Sequence, residues 1–137
     1  SGLIGAPSDQ SSGTEWGCYG IAISGADGLV VGTGNQNTID IESGCAPAGT
    51  AADICANLTL NGYSDWFLPS RDELILMYQN IGQGNLANVG GFVNAPYWSS
   101  SEVNSNSAYY YNSFFGAGNP GQTIKTSTAR VRAVRAF

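Results

Sequence analysis

An α+β fold is what this sequence predicts, with helices in the first half and short antiparallel strands in the C-terminal half. Three observations predict it. Apolar residues recur at helical spacing only before Gly82. Beyond Gly90-Gly91-Phe92, short β-rich runs alternate with links of Gly, Asn and Pro. The 137 residues suit one packed core, since single domains commonly run to about 100–200 residues. Residues 1–137 are therefore expected to form one domain.

Taken in order, Leu3 to Ala6 reads as a short strand, and Ser8-Asp9-Gln10-Ser11-Ser12-Gly13 as a polar turn leading into Trp16. Ile21 to Val31 mixes apolar residues with Gly and Asp, a loop pattern. Gly32-Thr33-Gly34 resembles half a phosphate loop, but no Gly-Lys-Ser/Thr follows it, so nucleotide binding is not expected. Asn37 can cap a helix that runs through Ile39, Ile41 and Glu42 and stops at Gly44. Thr50 can cap a second, in which Ala51, Ile54, Cys55 and Leu58 share a face and turn Cys55 toward the core. Ser70-Arg71-Asp72-Glu73 is a capping box. It opens a third helix with a buried stripe of Leu74, Met77, Tyr78 and Ile81, closed by Gly82. The Asp72 and Glu73 carboxylates then lie at the positive end of the helix dipole, a structural role. Tyr97 to Ser101, Ala108 to Phe115, Thr123 to Ser127 and Val131 to Phe137 read as strands. Trp16, Trp66 and Trp98 read as core.

Charge and composition narrow the function. Charged residues make up 11% against a usual share of roughly 25%, so neutral polar groups cover the surface. A net charge of −5 argues against nucleic acid as a partner, and no apolar run approaches the roughly 20 residues of a membrane span. There is no histidine, which removes the commonest general base and the Ser-His and Cys-His nucleophile pairs. No enzyme activity and no cofactor are expected. All ten carboxylates lie in residues 1–102 beside one cation, Arg71, whereas Lys125, Arg130, Arg132 and Arg135 follow with no acid among them. An acidic body with a basic end is the expectation.

Cys18, Cys45 and Cys55 allow one disulfide and one free thiol, in three pairings. Cys45 with Cys55 is favoured, because a short loop between two helical segments could bring them together. No metal site is expected: three sulfurs lack the fourth ligand that zinc requires, and Glu102-Val103-Asn104-Ser105-Asn106 is too poor in carboxylates for calcium. The Ser-, Thr-, Asn- and Gly-rich composition suggests export, and the abrupt Ser1-Gly2 start suggests a domain cut from a longer secreted protein.

Several segments together resemble one family. They are Leu3-Ile4-Gly5-Ala6-Pro7-Ser8-Asp9-Gln10, Trp16-Gly17-Cys18-Tyr19-Gly20, the block from Asn61-Gly62-Tyr63-Ser64-Asp65-Trp66-Phe67-Leu68-Pro69 to Ser70-Arg71-Asp72-Glu73-Leu74, Tyr97-Trp98-Ser99-Ser100-Ser101-Glu102, and Val131-Arg132-Ala133-Val134-Arg135-Ala136-Phe137. The chain resembles the C-terminal domain of the Legionella collagen-like adhesin over nearly its whole length. The resemblance implies a C-type-lectin-like fold on a secreted or bacterial cell-surface protein. It also implies a homotrimeric head that binds sulfated glycosaminoglycans in host attachment and biofilm. Related domains act as variable protein-binding modules of diversity-generating retroelements, and residues 99–128 have that flavour, which gives the alternative function.

Against that background, Lys125, Arg130 and Arg132 are the expected anion-binding patch, because an Arg fork presents paired donors to a sulfate ester. Arg130 and Arg132, two apart, share a strand face. Arg135, three from Arg132, falls on the other and is expected in a structural ion pair with Asp72, Glu73 or Glu102. Tyr109, Tyr110 and Tyr111 alternate faces, as do Phe114 and Phe115, so some rings should be exposed for stacking on a sugar or a flat partner.

Overall fold

The computed structural model describes residues 2–82, 84, 87–112 and 120–137. It is a mixed α+β structure. Strands β1 (Leu3–Gly5) and β2 (Ser11–Glu15) precede helices α1 (Gly34–Gly44), α2 (Ala51–Ala56) and α3 (Arg71–Ile81). Strands β3 (Tyr97–Glu102), β4 (Ser107–Tyr111), β5 (Pro120–Ile124), β6 (Thr128–Val131) and β7 (Val134–Ala136) follow. One sheet has the order β2-β6-β3-β4-β5, and β1 pairs with β7 in a second, two-stranded sheet. The pairing is antiparallel except between β3 and β6, which is parallel.

Local chemistry accounts for the helices. Ser70 Oγ accepts from the Glu73 N–H at 3.3 Å and Glu73 Oε1 accepts from the Ser70 N–H at 2.8 Å, so the capping box forms as the sequence predicts. Gly82 caps the other end. Helix α1 starts earlier than expected, at Gly34 rather than Asn37. The reason is that the Asn37 amide is spent elsewhere: it accepts from the Gly28 N–H and donates to the Gly28 carbonyl, pinning the long loop before the helix.

Two apolar clusters form the core. The first packs Trp16, Trp98, Ile41, Cys55 and Val131 between α1, α2 and the large sheet. All three tryptophans are buried, and the buried indole N–H groups of Trp16 and Trp98 donate to the Ser99 and Thr14 carbonyls, as a buried Trp requires. The second cluster packs α3, through Leu74 and Met77, onto Phe67, Tyr97, Tyr111 and Val134.

Three strand expectations need correction. Residues 11–15, read as part of a turn, form β2, because a run of Ser, Gly and Thr pairs with β6 through its backbone and carries no apolar alternation. The strand expected over 123–127 lies at Pro120–Ile124, with Lys125 and Thr126 in a turn. The strand expected over 131–137 is two, broken at Arg132 and Ala133 where the chain leaves one sheet for the other. Phe114 and Phe115 lie outside the described residues.

The disulfide also differs. It joins Cys18 to Cys45, not Cys45 to Cys55. Cys45 ends α1 and faces the tight turn at Gly17 and Cys18, both of which have positive φ (95° and 54°). Cys55 lies on the inward face of α2, fully buried with a free thiol. Burial raises its pKa, and the nearby Glu42 charge raises it further, so it is an inert core residue.

Candidate functional site

The basic end of the sequence is not a basic patch in the fold. Lys125 is fully buried, and its ammonium donates to Glu102 Oε2 at 2.6 Å and to the Ile21 carbonyl at 2.9 Å. It lies 4.6 Å from the centre of the Trp16 ring. Glu102 in turn accepts from the Ile23 N–H through both oxygens. This ion pair ties the loop of residues 17–26 to the sheet, and a polymer in solvent cannot reach it.

Arg132 is equally buried, at 1% exposure. Its Nε and Nη2 donate to Asp9 Oδ1 at 2.9 and 2.7 Å, and Nη1 donates to the Ala6 and Gly90 carbonyls. The guanidinium lies 4.2 Å from the Phe92 ring centre. Arg130 donates to the other oxygen of Asp9 at 3.0 Å, and the Tyr97 hydroxyl reaches the same carboxylate. Burial, with the adjacent Asp9 charge, raises the Tyr97 pKa. Arg130 and Arg132 do share one side, as expected, but that side carries Asp9. The expected three-cation patch of Lys125, Arg130 and Arg132 is therefore corrected: Lys125 and Arg132 are interior and ion-paired, and the partly exposed Arg130 shares the one Asp9 carboxylate with Arg132.

Arg135 forms a structural ion pair, though with Asp65 and not with the acids expected. Nε and Nη2 donate to the two Asp65 oxygens at 2.7 and 3.0 Å, and the guanidinium stacks 3.7 Å from the Tyr63 ring centre. The hydrogen bond from Arg135 lowers the Asp65 pKa.

The three tyrosines divide. Tyr111 is buried against Tyr78 at 4.8 Å between ring centres. Burial, then the neighbouring Tyr78, pushes its pKa up to about 12. Tyr110 is partly buried against the first core cluster. Tyr109, on the face opposite Ala108, is half-buried with the Arg71 guanidinium 5.4 Å above its ring. Arg71 is 28% exposed in its side chain, and its Nε donates to Asp72 at 2.9 Å. Its backbone N–H, at the first turn of α3, donates to Ser101 Oγ of β3. That bond fixes the start of α3 beside β4 and so sets Arg71 over Tyr109.

Sequence reasoning missed Asp9 and Asp65 as ion-pair partners, offered Glu102 to Arg135 where it pairs with Lys125, and saw Arg71 only as part of a capping box. The arginine of the capping box carried the only signal within reach, because its position relative to Ser70 placed it on the solvent side of a helix start. A second feature had no sequence signal. An open cleft of about 450 Å³ between α1, α2 and residues 64–66 is lined by Thr38, Glu42, Ser64, Asp65 and Trp66. Burial, with a hydrogen bond and repulsion from Asp53, lifts the Glu42 pKa to about 7.

Among the described residues, no group of three or more His, Cys, Asp and Glu is placed to hold a metal ion, and no helix is long and apolar enough to cross a membrane. The Arg71–Tyr109 pair offers a stacked ring and a fork with its outer N–H groups uncommitted to Asp72. It suits a ligand with a flat face and an anionic substituent. One family model, described as the Lcl C-terminal domain, matches residues 6–135. No curated protein matches the chain.

Proposed function

We propose, on the premise that this chain belongs to the Lcl C-terminal domain family, that it is a non-enzymatic attachment domain of a secreted or surface-bound collagen-like protein. Its ligand is a sulfated polysaccharide, and a C-type-lectin-like fold presents the site. The family match supports the attachment role. The observation that carries the location of the site is the Arg71 guanidinium over Tyr109, a partly exposed cation on a ring. A sugar ring packs on the tyrosine while a sulfate takes the outer guanidinium N–H groups, an arrangement that needs no bare basic surface.

One guanidinium per protomer is a weak hold on a polyanion, and Asp72 beside it weakens the hold further. Homotrimeric assembly multiplies the contact and raises avidity through effective concentration. Salt dependence should be shallow, because each Arg releases about one condensed counterion or fewer. The test is binding of heparin-like chains to the domain, wild type against R71A/Y109A. Loss in the double variant, with folding intact, supports the reading. Undiminished binding moves the site elsewhere, and no binding by wild type at low salt ends the sulfated-ligand reading.

A second reading rests on the β3–β4 turn, where Asn104 and Asn106 are exposed next to Tyr109. These belong to the 99–128 segment, and a diversified protein-binding surface would use them. A near-copy of the 3′ coding end beside a reverse-transcriptase gene supports that reading, and its absence overturns it.

A further inference from the structure

Strands β4 and β5 pair in antiparallel register, with Ser107 opposite Ile124, Tyr109 opposite Gln122 and Tyr110 opposite Gly121. Directly opposed residues point to the same face of a sheet, and so do residues two apart on one strand. Ser107, Tyr109, Gln122 and Ile124 therefore share the face over which the Arg71 guanidinium lies. Ala108, fully buried, and Tyr110, packed against the first core cluster, take the other face. Tyr111 continues the Tyr109 face, but Tyr78 of α3 packs on it. The exposed part of the face thus begins at Tyr109, beside the first turn of α3, and extends over Gln122 to Ile124, which is 49% exposed.

This strip is roughly 7 Å long, two residues of strand, and roughly 5 Å wide, one strand spacing, with the guanidinium at one end. Its chemistry is uneven. The Arg71 end offers a cation and the tyrosine ring; the other end offers an uncharged amide, a hydroxyl and an aliphatic side chain. Lys125, next after Ile124, supplies no second cation, because it is buried against Glu102. Asp72 already takes part of the Arg71 charge, and the chain as a whole carries −5. A polymer with a sulfate on every sugar brings charges to the amide end with no cation to meet them, and the net field of the molecule repels them. A polymer whose sulfates are separated by neutral sugars matches the strip at both ends.

We propose, resting on the reading that Arg71 and Tyr109 hold a sulfated polysaccharide, that the site selects chains of low sulfate density without uronic acids, in which a neutral sugar follows each sulfated one. The sulfated sugar stacks on Tyr109 with its sulfate on Arg71. Its neutral neighbour lies over Ile124 and Ser107, where the Gln122 amide, both donor and acceptor, hydrogen-bonds its hydroxyls. Gln122 is thereby the residue that sets specificity. A second sulfate at that position would be desolvated against an amide with no cation beside it. Preference then runs against charge density, the reverse of what a bare basic surface gives.

The test is binding of the intact chain to sodium salts of κ-, ι- and λ-carrageenan fragments of equal length, whose sulfate density rises in that order, and to uncharged agarose fragments, all at one low ionic strength. Wild type should bind κ most tightly and λ most weakly, and agarose far more weakly than κ. Gln122→Ala, at an exposed position, should weaken κ binding about three- to tenfold, with an unchanged circular dichroism spectrum. Ile124→Lys places a cation where the neutral sugar lies and should raise λ binding above κ. Any of four results overturns the inference: affinity that climbs from κ to λ in wild type, equal affinity for agarose, a Gln122→Ala variant that binds κ as wild type does, or an unchanged order in Ile124→Lys. Binding of heparin-like chains with refusal of every carrageenan also overturns it, and leaves the Arg71–Tyr109 reading standing. Refusal of both ends the two together.

Discussion

Arg132 and Arg135 lie three residues apart near the C-terminus, and they meet their carboxylates in opposite surroundings. Arg132 is 1% exposed, and it joins two distant pieces of chain: residues 6–9, through Asp9 and the Ala6 carbonyl, and the loop carbonyls of Gly90 and Gly91. Arg135 clips one exposed residue, Asp65, whose side chain is 57% accessible, and covers the face of Tyr63. The first is an internal cross-tie between the two ends of the chain; the second is a surface clip. The difference teaches that the number of arginines in a segment says little about the field it projects. What decides it is whether a carboxylate from elsewhere is delivered into the same low-dielectric space.

The sharpest way to break the contrast is to remove the carboxylate from the interior site. Asp9→Asn leaves a buried guanidinium without its counter-charge and should cost about 3–5 kcal/mol, read as a large fall in the urea midpoint. A loss below about 1 kcal/mol would mean that the Ala6, Gly90 and Gly91 carbonyls suffice on their own.

Glu42 sharpens the comparison from the other direction, as a half-buried carboxylate that faces Asp53 and, among the described residues, forms no ion pair. Its pKa rises from 4.5 to about 7 in the folded protein. The folded state therefore binds the proton more tightly than the unfolded chain does. This contribution is fully present below about pH 4.5 and is lost as pH rises through about 7. Stability should therefore be lower at pH 7.5 than at pH 5.5, and Glu42→Gln should flatten the slope, by on the order of 1 kcal/mol or less after solvent screening. Urea titrations at the two pH values measure it. An identical pH slope in the variant would assign the slope to other groups.

The smallest effect belongs to the surface clip. Arg135→Ala should move the urea midpoint least of the three, because exposed pairs contribute little. It should also return the Asp65 pKa toward its ordinary value, since the Arg135 hydrogen bond is the main cause of its lowering. NMR titration of the Asp65 carboxyl reads that directly. An unmoved Asp65 would contradict the pairing.

What was legible in the sequence was local. Ser70 with Glu73 announces a capping box, Gly82 ends the helix it opens, and Ala51, Ile54 and Cys55 announce the inner face of α2, because each signal and its partner lie within a turn or two. Strands β3 and β4 were visible from their aromatic residues. β2 was not, since Ser11, Ser12, Gly13 and Thr14 have no apolar alternation and owe their extension to β6. The site was least legible because its partners are remote. Arg130 and Asp9 are separated by 121 positions, Arg135 and Asp65 by 70. Alternation along one uninterrupted strand placed Arg130 with Arg132 correctly. It said nothing of the acid awaiting them, nor of the break at Arg132 and Ala133.

Those long separations bear on how the chain matures as it is synthesised. Asp9, Asp65 and Glu102 leave the ribosome well before Arg132, Arg135 and Lys125, and β1 and β2 wait for β7 and β6. Until the last strands emerge, the nascent polypeptide carries acids without counter-ions and two edges without mates, and its own repulsion keeps it open. A chain arranged this way closes only once Lys125, Arg132 and Arg135 have joined the acids made long before them.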